Sequence, residues 1–249
     1  MIYNPFSLEN KTILVTGASS GIGRAIAIEC SKMGATVIIS ARNETRLQET
    51  LSLMNGNNHS MIVADLSKQS DLAHLIEKTP ALDGLVNCAG FTKTVPFQFV
   101  NAENLNEVMS VNFTAPTIMS AQLVKNKKLT KKSSIVFISS ISGVLCAAVG
   151  NSIYSASKGA IQGMVKNMAL DLAPKGIRVN SVNPGMIETP IFDAGTITPE
   201  QLEEDKKRYP LKRYGKPEEV AYSVVYLLSD ASQWVTGSSL IIDGGYTLL

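Results

Sequence analysis

Seven short runs of β-branched and aliphatic residues, each followed by a longer stretch of helical pattern, constrain this chain more than any other feature. The runs are TILVT (12–16), TVIIS (36–40), SMIVA (60–64), GLVN (84–87), SIVFIS (134–139), IRVNSV (177–182) and SLIID (239–243). Several are apolar at successive positions, as strands covered on both faces must be. Segments 22–33, 102–126, 155–172 and 217–229 repeat apolar residues every three to four positions, the period of an amphipathic helix. The order is βαβα throughout, with no composition break and no repeat. It predicts an α/β fold: one doubly wound parallel sheet with helices on both faces, in a single domain spanning 1–249.

Bulk properties narrow the function by exclusion. No run of about 18 apolar residues is present, so no membrane partner is expected. The opening MIYNPFSLENK lacks a basic segment followed by an apolar stretch, so no secretory signal is expected either. A formal net charge of +2 gives no reason to expect nucleic acid. The basic run Lys125, Lys127, Lys128, Lys131, Lys132 reads as a solvated helix end. Cys30, Cys88 and Cys146 are far apart and odd in number, and only His59 and His74 accompany them. They read as buried, reduced thiols of a cytoplasmic protein, and no metal site is expected.

The first strand runs into TGASSGIG (16–23), which opens a helix. Gly17, Gly21 and Gly23 permit a tight turn and close backbone approach, and the helix that follows presents N–H groups and a positive dipole end. Together with Ser19, Ser20 and Ile22 they suit a pyrophosphate, although glycine also serves any tight turn. An acidic residue after the second strand would bind the free ribose 2′-hydroxyl of NAD. This chain has Ser40, Ala41, Arg42, Asn43 instead. Arg42 offers a planar cation for a 2′-phosphate, which favours NADP(H) over NAD(H); the alternative is an exposed arginine at a helix start.

Tyr154 and Lys158 in YSASK share one helix face. A nearby ammonium favours a phenolate, and the same phenol can protonate a forming alkoxide. Ser140, at the end of SIVFISS, would lie at the carboxyl edge of the sheet and could donate to a substrate oxygen as charge develops. Ser139 and Ser142 flank it. Taken with DL (65–66), NCAG (87–90), VN (111–112), SSISG (139–143), NPG followed by Thr189, and the ending IIDGGY, these motifs resemble the short-chain dehydrogenase/reductase family over essentially the whole chain.

That resemblance implies a Rossmann-like sheet of seven parallel strands and a role for each matching position. Tyr154 would be the general acid/base, and Ser140 would polarise the substrate oxygen. Lys158 would lower the Tyr154 pKa and hold the nicotinamide ribose. Asn112 would hold a water that relays protons to Lys158. Asp65 and Leu66 would border adenine, Asn87, Ala89 and Gly90 would line the cofactor, and Pro184, Gly185, Ile187 and Thr189 would flank the nicotinamide amide. It further implies a homotetramer pairing the long helices and the C-terminal strands.

Two departures stand out. Cys88 replaces an asparagine that helps tie the central strands, for which a small adjustment is expected. Ser20 stands where many NADP-preferring members carry a basic residue, so the 2′-phosphate argument rests on Arg42. Phe91, Cys146, Met186 and Phe192 are candidate pocket or core residues. Residues 187–215, rich in proline and charge, read as a substrate lid or as a surface excursion with a short helix at 199–208. The function expected is hydride transfer between nicotinamide and a small-molecule carbonyl or alcohol carbon. A 3-oxoacyl thioester on an acyl carrier protein is one candidate substrate, with Lys131 and Lys175 placed like that family's carrier-binding side chains. NAD(H)-dependent sugar, polyol or other alcohol oxidation is the alternative. An epimerase would need a larger C-terminal domain, and a dinucleotide sensor would not need Ser140, Tyr154, Lys158 and Asn112 together.

Overall fold

The computed structural model describes residues 3–189 and 198–249. In chain order the elements are β1 (Thr12–Thr16), α1 (Gly21–Lys32), β2 (Thr36–Ala41), α2 (Glu44–Leu53), β3 (Ser60–Val63), α3 (Gln69–Lys78) and β4 (Leu82–Asn87). They continue with α4 (Ala102–Met109), α5 (Ala115–Lys125), β5 (Leu129–Ile138), α6 (Ser152–Leu172), β6 (Arg178–Pro184), α7 (Pro199–Lys206), α8 (Pro217–Leu228) and β7 (Ser239–Ile242). The strands form one parallel sheet in the order β3-β2-β1-β4-β5-β6-β7. This is the Rossmann-like architecture that the strand runs and the resemblance lead one to expect.

Successive strand side chains point to opposite faces, so each strand feeds two cores. On one face Ile13, Val15, Val37, Ile39, Val136 and Ile138 pack with Ile26 of α1, Leu47 of α2 and Val220 and Val224 of α8. On the other, Leu14, Ile38, Ile135 and Phe137 pack with Leu75 of α3, Met119 of α5 and Ile161 of α6. That double burial is why the strand runs lack polar alternation. Strand order reverses at β1, which leaves a crevice at the carboxyl ends of β1 and β4, the usual place for a ligand in such sheets.

Three expectations need correction. The predicted helix 102–126 is interrupted by a π-helical turn at Ser110–Thr114. Pro116 has no N–H for the Asn112 carbonyl four residues back, and its ring crowds that carbonyl, so the regular ladder cannot pass through. The basic run is not one solvated helix end. Lys125 closes α5, whereas Lys128 donates to the carbonyls of Ile76, Glu77 and Thr79 and so caps α3. Lys131 and Lys132 lie in a bulge at the amino end of β5, where Leu82 pairs with Leu129 and Gly84 with Ser134. Of the three free cysteines Cys30 is buried, while Cys88 and Cys146 are only half-buried.

Among the described residues no helix is long and apolar enough to cross a membrane. Of the 187–215 stretch, residues 190–197, including Phe192, lie outside the described residues. Its two ends meet in a bridge between Ile187 and Gly215, and the expected short helix is α7.

Candidate active site

The glycine-rich turn between β1 and α1 is built by close contacts that only glycine allows. Gly17 (φ 70°) lies so near the chain after β4 that a Cβ would sit 2.8 Å from Ala89 Cα. A Cβ on Gly23 would sit 2.3 Å from the Gly17 carbonyl oxygen, and one on Gly21 (φ 52°) 3.2 Å from the Thr189 methyl. Three stretches expected around a dinucleotide (17–23, 87–90 and 184–189) therefore converge. No side chain caps α1 and its first turn carries no acid, so its leading N–H groups are not taken by a side chain.

Several side chains that fix this cradle were not singled out in the sequence. Thr16 Oγ1 accepts from the N–H groups of Cys88 (3.2 Å) and Ala89 (3.3 Å), tying the ends of β1 and β4. Arg24 donates to the Ser19 carbonyl (2.6 Å), to Thr50 Oγ1 (3.1 Å) and to Glu49 (2.9 Å), while Thr50 donates to the Ala18 carbonyl (2.9 Å). The turn is thus bolted to α2 from below. The long-range partners lie 25 to 73 residues away, a separation to which local spacing is blind.

Arg42 is exposed just after β2, and α2 begins two residues later under an Asn43 cap that accepts from Arg46 N–H. Asp65 accepts from the Ser67 hydroxyl and backbone N–H; these bonds, with a smaller contribution from Arg42, hold its carboxyl below the usual range. Arg42 and Asp65 therefore share the edge expected for the adenosine ribose, and half-buried Leu66 follows. Asn87 is buried, with its amide nitrogen donating to Ser120 at 3.3 Å. Gly185 N–H donates to Ile242 O, and buried Ile187 and half-buried Thr189 continue from Pro184. The cradle and the unspent helix N-terminus fit a dinucleotide.

Ser140, Tyr154, Lys158 and Asn112 come together beside that cradle. The half-buried Tyr154 phenol bonds Ser140, whose Oγ also accepts from Ser142 N–H at 3.1 Å. Ser139 is spent elsewhere, donating to the Lys158 carbonyl at 2.9 Å, and Ser142 pairs with Cys146. Gln162, another residue not anticipated, donates to the Ser140 carbonyl at 3.0 Å. Asn112, displaced inward by the π-helical turn, grips Phe91: its Nδ2 donates to the Phe91 carbonyl (2.9 Å) and its Oδ1 accepts from Phe91 N–H (3.0 Å). A Cβ on Gly90 would stand 3.1 Å from Asn112 Oδ1 and 3.4 Å from Lys158 Nζ, which places both groups at one point.

The electrostatics differ from expectation in one respect. Burial raises the Tyr154 phenol and is opposed by the Ser140 hydrogen bond, with the neighbouring Cys88 thiol adding to the rise. Lys158 Nζ stands 5.8 Å from the Tyr154 ring centre but donates to the Ile138 carbonyl at 2.8 Å. Burial brings it down to about 8 and pushes the Cys88 thiol up to about 12. In this state desolvation disfavours both the phenolate and the ammonium, so the expected lowering of Tyr154 by Lys158 is not expressed.

Within one chain Lys131 and Lys175 lie at the edge of the sheet opposite Ser140. Both are exposed where β5 and β6 begin, whereas Ser140 follows the carboxyl end of β5, roughly 20 Å along the strand direction.

A family model described as enoyl-(acyl carrier protein) reductase matches residues 17–247. The chain is 35% identical over 242 residues to a 3-oxoacyl-[acyl-carrier-protein] reductase of Rickettsia felis, covering 97% of this chain and 99% of the relative. It is 35% identical over 248 residues to a glucose 1-dehydrogenase of Gluconobacter oxydans, covering 96% and 92%. Among solved structures, a putative 2-deoxy-D-gluconate 3-dehydrogenase from Agrobacterium tumefaciens with bound NADP superposes with a TM-score of 0.89 at 32% identity, covering 99% of this chain and all of that one.

Proposed function

The chain belongs to the short-chain dehydrogenase/reductase family of oxidoreductases, and from that premise we propose that it interconverts a carbonyl and an alcohol with NADP(H) as the dinucleotide. The observation that carries the proposal is the meeting of Ser140, Tyr154, Lys158 and Asn112 at the carboxyl edge of the sheet, directly beside the glycine cradle. Bound there, the dinucleotide supplies or accepts the hydride. The protein's own residues manage the oxygen and its proton. Ser140 and Tyr154, already in hydrogen-bond contact, present two hydroxyls to one substrate oxygen. As negative charge gathers on that oxygen in reduction, Ser140 donates a hydrogen bond and Tyr154 transfers its proton. A phenol raised by burial stays protonated at neutral pH, ready for that transfer. A protonated Lys158 favours the phenolate left behind, and Asn112 fixes Phe91 and the strap that follows it against α6.

NADP(H) is preferred in this reading because Arg42, a cation at the ribose edge, directly follows β2 where a carboxylate would select NAD(H), the nearby Asp65 lying after β3 instead. The 3-oxoacyl reading draws on the R. felis relative; the competing reading, NAD(H)-dependent polyol oxidation, draws on the G. oxydans one. The whole of 1–249 acts as one dinucleotide-binding and catalytic domain, with a substrate lid at about 187–215. A homotetramer is supported by Ile118 of α5 and Leu170 of α6, both apolar and exposed on the single chain. Three free cysteines suit the reducing cytoplasm. Tyr154→Phe tests the assignment. It should lower kcat by at least a hundredfold, with dinucleotide affinity held within threefold in a fluorescence titration. Retention of most activity would show that another group moves the proton.

A further inference from the structure

Three stretches of chain surround the Ser140 and Tyr154 hydroxyls. The first, 91–99, leaves Gly90 and reaches across to the second, where Val95 N–H donates to the Gly150 carbonyl at 2.8 Å. The second, 141–151, joins Ser140 to Tyr154. Its Gly143 presses on α6 so closely that a Cβ would meet the Gln162 amide at 2.7 Å and Gly159 N at 3.0 Å. The third follows Gly185, where the Met186 backbone is bonded by Tyr209, itself near Cys146 of the second stretch.

The large exposed side chains of the first two stretches are apolar, and Thr92, Thr94 and Gln98 are the polar ones exposed in the first. Val149 is 96% exposed, Phe97 79%, Val144 66% and Phe99 63%, with Leu145 and Met186 also exposed. Residues 139–151 (SSISGVLCAAVGN) contain no charge, and Ser139 and Ser142 are already committed. Lys93 in the first stretch is paired with Glu107. Beyond the third stretch, Lys206, Lys207 and Arg208 pair with Glu203, Glu204 and Asp205 three residues back. The second stretch therefore offers no charge and few free polar groups to a polyol, and the lysine of the first is already paired, so neither presents a free cation to an acidic carrier.

Resting on the oxidoreductase reading above, we infer that this site takes an apolar carbonyl compound, or its alcohol, as a free molecule. In the reductive direction the carbonyl carbon gains a hydride from reduced nicotinamide and its oxygen a proton from Tyr154, giving the alcohol and oxidised nicotinamide. Each methylene laid against the collar gains about fourfold in binding. Each polyol hydroxyl buried there without a partner loses about ten- to a hundredfold.

The test compares kcat/KM for methyl ketones from butan-2-one to decan-2-one with that for sorbitol and gluconate in the reverse direction. It adds one 3-oxoacyl group presented both on acyl carrier protein and on N-acetylcysteamine. The ketone series should climb about fourfold per methylene over several steps, and the polyols should fall at least a hundredfold below its upper end. The N-acetylcysteamine thioester should match or exceed the carrier-bound one. Val149→Asp should depress decan-2-one at least fivefold more than butan-2-one. A flat series, or a Tyr154-dependent oxidation of gluconate that outruns the ketones, overturns the apolar assignment and leaves the oxidoreductase reading standing. Better than tenfold preference for the carrier-bound thioester overturns the free-molecule assignment. No turnover of any of these, with dinucleotide still bound, overturns the oxidoreductase reading together with the inference.

Discussion

Replacing Lys158 with methionine should stabilise the dinucleotide-free protein while abolishing its turnover. Lys158 is 5% exposed, and burial brings its ammonium from the ordinary 10.5 down to about 8. At pH 6.5 both the folded and the unfolded chain carry the proton, so the folded state bears the full cost of the buried charge, roughly 3 kcal/mol. Methionine fills a similar volume with no charge to desolvate. Against that gain stands the 2.8 Å hydrogen bond to the Ile138 carbonyl. Its loss leaves a buried acceptor unpaired and costs about 1–2 kcal/mol. The net expectation is a stabilisation of about 1–2 kcal/mol at pH 6.5. The dependence on pH then identifies the cause. Between about 8 and 10.5 the folded protein has released the Lys158 proton while the unfolded chain still holds it, so wild-type stability rises across that window and that of K158M does not. The lead of K158M should therefore shrink by about 2 kcal/mol between pH 6.5 and pH 9.5. Guanidinium unfolding of both proteins at one protein concentration measures the lead at each pH, and titrations common to both cancel in the difference. A variant less stable than wild type at pH 6.5, or a lead that does not move with pH, would refute the reasoning.

Three further outcomes follow from the same geometry. Arg42→Ala should weaken NADPH binding about ten- to a hundredfold, the worth of a charge-assisted contact, and change NADH binding less than twofold by calorimetric titration; equal loss of both would remove Arg42 from the 2′-phosphate. Gly23→Ala puts a methyl 2.3 Å from the Gly17 carbonyl oxygen, so the turn must shift; melting should show a loss of about 1–3 kcal/mol, with dinucleotide affinity down at least tenfold. Asn112→Ala leaves both backbone groups of Phe91 without their partner and should cost about 2–4 kcal/mol in denaturant unfolding, whereas a cost below 1 kcal/mol would mean that water replaces the amide.

Strand positions were legible because each strand packs on both faces and so writes a continuous apolar run. TILVT coincides with β1, and the other runs differ from β2–β7 mainly at their ends. β5 departs furthest, starting at Leu129, because the bulge around Lys131 and Lys132 carries polar residues into a strand whose apolar signal begins only at Ile135. The interruption of 102–126 had a readable cause in Pro116, but periodicity averaged over 25 positions hides a single extra residue per turn. Ser140, Tyr154, Lys158 and Asn112 were found because their chemistry and order are distinctive. Thr16, Arg24, Thr50 and Gln162 were not, since a threonine, arginine or glutamine acquires its role only from a partner brought in by the fold. Lys131 and Lys175 show the converse: a lysine near the active-site motifs in the chain says nothing about which end of the strand it occupies.

The local irregularities of this fold gather on one small region. The π-helical turn brings Asn112 to the Phe91 backbone, Gly90 is pressed between Asn112 and Lys158, and Lys158 carries a charge that its surroundings do not solvate. Each runs against a local preference: regular helix, space for a Cβ, a hydrated ammonium. A sheet whose strands bury both faces can absorb such costs, and unfavourable elements persist in folds where function requires them. The collar shows the opposite construction. Residues 141–151 are tied to the scaffold through the buried Ile141 and through backbone contacts, such as the Val95–Gly150 hydrogen bond and the Gly143–α6 approach, while Val144, Leu145 and Val149 are exposed. Changing Val144, Leu145 or Val149 therefore alters what meets the substrate without touching the groups that hold Ser140 and Tyr154. On the inferred assignment the proton-handling site and the collar are separable, so substitutions in the collar should shift substrate preference while leaving the chemistry common to the family in place.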